Sequence, residues 1–331
     1  MKFLIDNAIP YLKGLLEPYA EVVYLDGKSF SRQEVMGADA LIIRTRTRCD
    51  AQLLDQSQVK LIATATIGFD HIDLEYCAEH GIEVTTAQGC NAAGVLQWVA
   101  AALVRLSLKE GWHPTERTLG VVGVGHVGSL VEQYARHWGF RVVCCDPPRK
   151  EREGGDFISL EELLPQADIA TLHTPLDKTT FHMINRETIS LMKPEATLIN
   201  ASRGEVTQSR ALMEAEQRLV LDVWEHEPEI NLDLLEKAFV ATSHIAGYSA
   251  QGKANATKAV VEAVAKRFDL PFDGWYPPQV QPAKRNLISW EELCQTVTKY
   301  CDLEAETLRL KQNPTAFEAI RNEYNYREEY F

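Results

Sequence analysis

No two of the seven cysteines (Cys49, Cys77, Cys90, Cys144, Cys145, Cys294 and Cys301) form a C-x-x-C pair, and their number is odd. That argues against a disulfide framework and gives no zinc site. No metal is expected, and a reducing compartment such as the cytoplasm fits. Basic residues are in the minority, 34 Lys and Arg against 47 Asp and Glu, for a net charge of -13. A chain of that sign repels nucleic acid and anionic membranes, so neither is an expected partner, and an anionic substrate needs a local basic patch. Long apolar runs are missing too. The longest candidate, residues 95–104, contains Gln97 and falls short of the ~18 residues of a membrane span, so it reads as a buried helix. Asp6 breaks the apolar start Met1-Lys2-Phe3-Leu4-Ile5 too early for a signal peptide. There is no repeat of solenoid period and no low-complexity tract.

What is present is ordinary globular material, 45% hydrophobic and 24% charged, and 331 residues are enough for two domains. Short β-branched runs recur at residues 2–5, 21–25, 40–44, 60–64 and 81–85, with helical spacing between them, as over 73–80. After a long apolar helix over 92–108, a second series reads 118–123, 141–146, 167–173, 196–200, 219–223 and 239–242. Strands alternating with helices predict the α/β class, and six such runs predict a six-stranded dinucleotide-binding sheet. A second long helix is expected over 250–268. A break rich in proline and aromatics follows over 271–282, and then a charged tail with helical spacing over 287–331.

Gly123-Val124-Gly125-His126-Val127-Gly128 is a G-x-G-x-x-G that directly follows a strand and opens a helix. Gly123 permits the tight turn, Gly125 lets the backbone approach a pyrophosphate, and Gly128 lets helix and strand pack closely. The helix N-terminus then offers free amides and a positive dipole end. The next strand ends in Asp146, 18 residues after Gly128, placed to accept from ribose hydroxyls. That favours NAD over NADP, although Arg149 and Lys150 stand close by.

Three later strand ends carry polar groups: Asn200-Ala201-Ser202-Arg203-Gly204, Asp222-Val223-Trp224-Glu225-His226-Glu227-Pro228 and Thr242-Ser243-His244-Ile245-Ala246-Gly247. In an open α/β sheet, ligands bind outside the carboxyl ends of the strands, so these groups form a candidate active site. Together with Tyr248 and the glycine motif, these segments resemble the D-2-hydroxyacid dehydrogenase family. Finer stretches are Ile67-Gly68-Phe69-Asp70-His71-Ile72-Asp73, Gly89-Cys90-Asn91-Ala92, Cys145-Asp146-Pro147-Pro148 and His244-Ile245-Ala246-Gly247-Tyr248-Ser249. They resemble the branch of that family that oxidises 4-phospho-D-erythronate on the way to pyridoxal phosphate. The likeness covers residues 1–271, with a fainter echo in the tail.

The resemblance implies two doubly wound, Rossmann-like parallel-sheet domains. A substrate domain over 1–92 and 248–284 would receive an inserted NAD domain over 93–247, and a segment over 285–331 would pair two subunits into a homodimer. It implies Arg203, Glu227 and His244 as the catalytic groups. His244 would take the hydroxyl proton, Glu227 would orient it, and Arg203 would grip the substrate carboxylate. Gly123, Gly125, His126, Val127, Gly128, Asp146, Thr174, Ala201, Ser202, Arg203, Asp222 and Gly247 would line the NAD pocket. Ser202 stands where relatives carry cysteine. Arg44, Thr45, Thr66 and Tyr248 would touch substrate, with Thr45 replacing an expected serine.

Arg44-Thr45-Arg46-Thr47-Arg48 is the local basic patch that the acidic balance requires. If extended, it puts three arginines on one side and two threonines on the other, suited to a phosphate. A small phosphorylated hydroxy acid is therefore the expected substrate, its carboxylate held by backbone amides near residues 66–68. Two other readings stay open. One is another D-2-hydroxyacid dehydrogenase of glycerate or phosphoglycerate type. The other is an NAD-sensing corepressor-like binding protein, against which the lack of an appended disordered region argues.

Overall fold

The computed structural model covers all 331 residues, which fall into two compact units. Met1–Asn91 with Ala250–Pro282 forms one, and Ala92–Ser249 with Ala283–Phe331 forms the other.

The first unit is a parallel sheet of β1 (Lys2–Asp6), β2 (Glu21–Leu25), β3 (Ala40–Ile43), β4 (Leu61–Thr64) and β5 (Glu83–Thr86), in the order β2-β1-β3-β4-β5. Every residue of β3 and β4 is buried, because helices cover both faces of a parallel sheet. The edge strands β2 and β5 begin with exposed glutamates, Glu21 and Glu83. Strand order reverses between β1 and β3, and such a switch point leaves a crevice at the carboxyl ends. The helix Ala250–Phe268 packs on β4 and β5, and Thr257 Oγ1 donates to the Pro10 carbonyl at 2.9 Å.

The second unit is a six-stranded parallel sheet of β6 (Thr118–Val122), β7 (Arg141–Cys145), β8 (Ile169–Leu172), β9 (Thr197–Asn200), β10 (Arg218–Leu221) and β11 (Val240–Ala241). These are the six runs expected, in the order β11-β10-β9-β8-β6-β7. Beyond β7 a single residue pair, Cys144 and Phe157, continues the ladder, with the Ile158 amide donating to the Cys144 carbonyl at 2.9 Å. The helix Ala92–Glu110 is long and apolar enough by composition to cross a membrane. It is instead buried almost all round, a core helix.

The tail differs from the separate segment expected over 285–331, because it supplies part of this unit's own core. Trp290 packs among Trp112, Trp138 and Phe140, and Phe331 packs tilted on Tyr134 and edge-on to Trp138. Trp138 Nε1 donates to the Ile288 carbonyl at 2.9 Å. The tail helix Leu303–Gln312 lies on β11, where buried Thr307 Oγ1 accepts from the Ala241 amide at 3.1 Å. An edge that would otherwise show an unpaired amide is thereby closed.

Candidate active site

The glycine turn has the geometry its sequence demands. Gly123 sits at φ 82°, and a Cβ there would lie 2.8 Å from the His173 carbonyl carbon. A Cβ on Gly128 would fall 1.9 Å from the Gly123 carbonyl oxygen, so helix and strand meet backbone to backbone. At Gly125 the same atom would meet nothing within 4 Å. Gly125 also opens the 13-residue helix His126–Trp138 without any side-chain cap, so the first-turn amides remain for a phosphate. Gly125 and His126 are exposed, and Val127 is half-buried. At the end of β8, Thr174 Oγ1 is shielded from solvent and has no hydrogen-bond partner. These features fit a dinucleotide.

Asp146 caps the helix Pro147–Glu153. Its Oδ2 accepts from the Val124 amide at 2.8 Å and its Oδ1 from the Arg149 amide at 2.9 Å. These bonds fix the carboxylate beside the glycine turn, and each oxygen keeps a lone pair for a hydroxyl. Arg149 is turned to other partners. Its Nε and Nη2 donate to Glu153 Oε2 at 2.9 and 2.7 Å, and its Nη1 to the Val124 carbonyl at 2.8 Å. The bonds from Arg149 hold the Glu153 carboxyl below its ordinary range.

The candidate catalytic groups follow three neighbouring strands, β9, β10 and β11. A Cβ on Gly204 would lie 2.0 Å from the Trp224 carbonyl, so only glycine lets the loop after β9 press against the loop after β10. Arg203, just before it, is half-buried. Its Nη1 donates to the Ser202 carbonyl at 2.8 Å, and it has no carboxylate partner. Buried Ser202 bonds to Asn200, Oγ donating to Oδ1 at 2.8 Å, and Ala201 is half-buried beside it.

Glu227 Oε1 accepts from the Trp224 amide at 2.9 Å, and Oε2 lies 2.8 Å from His244 Nδ1. Burial pushes the Glu227 carboxyl up. The His244 charge and hydrogen bond, the Trp224 amide and Arg321 more than offset this, and the net direction is down. The pair is therefore a carboxylate facing ring nitrogen Nδ1, and Nε2 makes no hydrogen bond.

His244 has φ 58°, left-handed and costly for a residue with a side chain. Asp222 holds it there. The Asp222 carbonyl accepts the His244 amide at 2.7 Å. Oδ1 accepts the Ile245 amide at 2.8 Å and Thr242 Oγ1 at 2.5 Å, and Oδ2 accepts the Ala246 amide at 2.9 Å. Asp222 is 1% exposed, so it acts on the site through this loop. Gly247 and Tyr248, next in the loop, are half-buried.

In the first unit the basic segment is not extended. The Thr47 amide donates to the Arg44 carbonyl at 3.3 Å, so residues 44–47 turn at the end of β3 and the alternation of arginines and threonines is lost. Thr47 is buried, its Oγ1 donating to the Gly27 carbonyl at 2.9 Å, while Thr45 is exposed. Arg44 Nη1 reaches the Ala8 carbonyl, 3.5 Å away across the switch point, and Arg48 pairs with Asp50 at 2.8 Å. Thr66 Oγ1 lies 2.6 Å from Thr64 Oγ1 and donates to the Gly68 carbonyl at 3.0 Å. The Ile67 and Gly68 amides have no partner within the unit.

Sequence reasoning missed two arginines of the tail. Buried Arg327 threads into the His244 loop: Nη1 donates to the Ile245 and Tyr248 carbonyls, each at 3.0 Å, and Nη2 to those of Ala246 and of Gly94, the latter at 2.7 Å. Arg321 Nη1 stands 4.0 Å from Glu227 Oε2, and its Nε donates to Tyr248 Oη at 3.1 Å. No spacing in the sequence links either residue to the loop it serves.

Residues 96–246 match the family model described as D-isomer specific 2-hydroxyacid dehydrogenase, NAD binding domain. An erythronate-4-phosphate dehydrogenase of Bacteroides fragilis is 46% identical, over 99% of this chain and 97% of its own. One of Porphyromonas gingivalis is 39% identical, over 98% and 92%. Among solved structures, a Thermus thermophilus protein is 32% identical with TM-score 0.67, covering 84% of this chain and 99% of its own. A D-lactate dehydrogenase of Aquifex aeolicus, complexed with NAD and lactic acid, is 29% identical with TM-score 0.65, over 81% and 96%. With its glycine turn and its three polar strand ends, this chain belongs to the D-isomer-specific 2-hydroxyacid dehydrogenase family, as an NAD-dependent oxidoreductase.

Proposed function

We propose that the protein oxidises 4-phospho-D-erythronate at C2 to the 2-oxo acid, in the synthesis of pyridoxal phosphate. The observation that carries this reading is the 2.8 Å contact of His244 Nδ1 with Glu227, beside an Arg203 that has no acidic partner. Glu227 fixes the ring so that Nε2 takes the proton of the C2 hydroxyl. The planar fork of Arg203 receives the substrate carboxylate and polarises the forming carbonyl. NAD, held by the glycine turn, Asp146 and the strand ends bearing Thr174, Ala201, Ser202 and Gly247, supplies the hydride acceptor.

In the first unit, Arg44 and Thr45 at the end of β3 take the phosphate. The amides of Ile67 and Gly68, with Thr66, suit the carboxylate. The relatives named for erythronate 4-phosphate support this choice of acid. The active form is a homodimer of the cytoplasm, with no nucleic acid or membrane partner. A light-scattering mass at micromolar concentration checks the dimer, and a monomeric mass contradicts it.

The substrate test compares D-erythronate with its 4-phosphate by NADH absorbance, in the natural protein and in Arg44→Ala. The phosphate is expected to raise kcat/KM at least tenfold, about 1.4 kcal/mol, and Arg44→Ala to remove most of that gain. A smaller gain in the natural protein points to an unphosphorylated hydroxy acid.

A further inference from the structure

We infer that Arg321 is a positioning residue for the His244–Glu227 pair, biasing it towards neutral imidazole by sharing the Glu227 carboxylate. The inference rests on the role given to His244 above. The short tail helix Phe317–Asn322 carries Arg321 to the loop after β11. There its guanidinium meets two groups at once. Nη1 lies 4.0 Å from Glu227 Oε2, the same oxygen that faces His244 Nδ1 at 2.8 Å. Nε donates to Tyr248 Oη at 3.1 Å, and the guanidinium carbon lies 5.7 Å from the Tyr248 ring centre. One contact sets the distance to the carboxylate and the other ties the side chain to the loop that carries His244.

The consequence is electrostatic. A carboxylate paired with imidazole alone favours imidazolium, because a proton on the ring cancels the negative charge. With a guanidinium on the same oxygen, the carboxylate is already partly compensated, and a second positive charge on the ring gains less. Only the neutral ring can accept the hydroxyl proton, so Arg321 enlarges the competent fraction at mildly acidic pH.

The surrounding charges do not supply this effect. On the Glu227 loop, Glu225 is bound by His182 Nε2 at 2.6 Å and by the Ser209 amide at 2.6 Å. Beneath the His244 loop, Asp222 is taken up by two amides and a hydroxyl. From the tail, Arg327 spends both Nη atoms on backbone carbonyls and Tyr324 Oη. His226 lies beside Glu227 in the chain, and Arg203 follows the neighbouring strand β9. Of these groups only Arg321 is ion-paired with Glu227 besides His244 itself.

The test uses full-length protein with NAD bound. The His244 ring is titrated by NMR, its resonance assigned by its loss in His244→Ala, and kcat/KM is profiled against pH in the oxidation direction. Arg321→Met removes the charge and keeps much of the side-chain bulk, whereas Arg321→Lys keeps the charge. In Arg321→Met both the ring midpoint and the acidic limb should rise, on the order of half a pH unit or more. Below the limb that lowers kcat/KM roughly threefold or more, with NAD affinity within about twofold of the natural value. Arg321→Lys should return both to near their original positions. An unmoved midpoint in Arg321→Met, or a Lys variant shifted as far as the Met variant, overturns the inference. His244→Ala separates the two claims. If it retains turnover, the proton-transfer reading falls and this inference with it. If turnover is lost while Arg321→Met leaves the midpoint in place, this inference alone falls.

Discussion

Replacing Asp222 by asparagine changes one atom, and the structure says what that atom supports. The carboxylate accepts three hydrogen bonds in a position 1% exposed: Thr242 Oγ1 and the Ile245 amide on Oδ1, and the Ala246 amide on Oδ2. With the amide oxygen at Oδ1, two bonds survive as neutral ones, each weaker by about 0.5–1 kcal/mol than a bond to a charged acceptor. The amide NH2 then faces the Ala246 N–H, donor against donor, which leaves that amide unpaired at a cost of about 1–3 kcal/mol. The sum is about 2–5 kcal/mol. It falls on the loop that holds His244 at φ 58°, so the backbone there is freed to relax. For a unit of about 200 residues, the melting transition should drop roughly 5–15 °C by calorimetry. Turnover should fall at least tenfold more than NAD affinity, because the misplaced group is His244 and not the glycine turn. Thr242→Val, which removes one donor and spares the carboxylate, should cost only about 1 kcal/mol. A variant Asp222→Asn with an unmoved transition and natural kcat would refute the claim that this carboxylate sets the loop.

His244→Ala should lower kcat about 10²- to 10⁴-fold while NAD binding by calorimetry stays close to natural; a near-natural kcat would assign the proton to another group. Glu227→Gln should displace the pH profile, since an uncharged partner no longer favours the protonated ring; a superimposable profile would remove Glu227 from the reaction. Glu153→Ala should free the Arg149 fork and narrow the preference for NAD(H) over NADP(H), because a loose guanidinium can meet a 2′-phosphate; an unchanged ratio of dissociation constants would show that Asp146 alone sets it. Burial pushes the Glu306 carboxyl up, and its Oε2 has no hydrogen-bond partner. With the folded pKa above the unfolded one, its stabilising contribution is complete below about pH 4.3 and lost as pH rises through the folded value. Glu306→Gln should accordingly leave the melting point near natural at pH 4 and raise it by roughly a degree or two at pH 8, and equal shifts at both pH values would contradict that sign.

Most of the framework was legible because parallel strands buried on both faces must read as β-branched runs, and all eleven strands fall within or beside such runs. The glycine turn and the polar ends of β9, β10 and β11 were legible for a related reason: each of these candidate groups lies within six residues of a strand whose end is visible in the pattern. The turn at residues 44–47 was not, because an Arg-Thr alternation also fits extended chain and nothing nearby marks the bend. The anchoring role of Asp222 was hidden too, since its partners Thr242, Ile245 and Ala246 lie 20 to 24 residues away. Arg321 and Arg327 were illegible in principle. They meet residues 73 to 233 positions earlier, across a tail whose charged helical spacing reads equally as a solvated appendage.

The closure of β11 by the tail bears on how this chain is born at the ribosome. Thr307 reaches the edge amide 66 residues upstream, and Arg327 binds carbonyls 82 and 233 residues upstream. Synthesis runs from the N-terminus, so the sheet can assemble through β11 while its last edge and the His244 loop still wait for their fasteners. During that interval an open strand edge and the Trp138 face are available to chaperones or to neighbouring nascent chains. The His244 loop therefore takes its final form late, only once Arg327 has reached the carbonyls of Ile245, Ala246 and Tyr248.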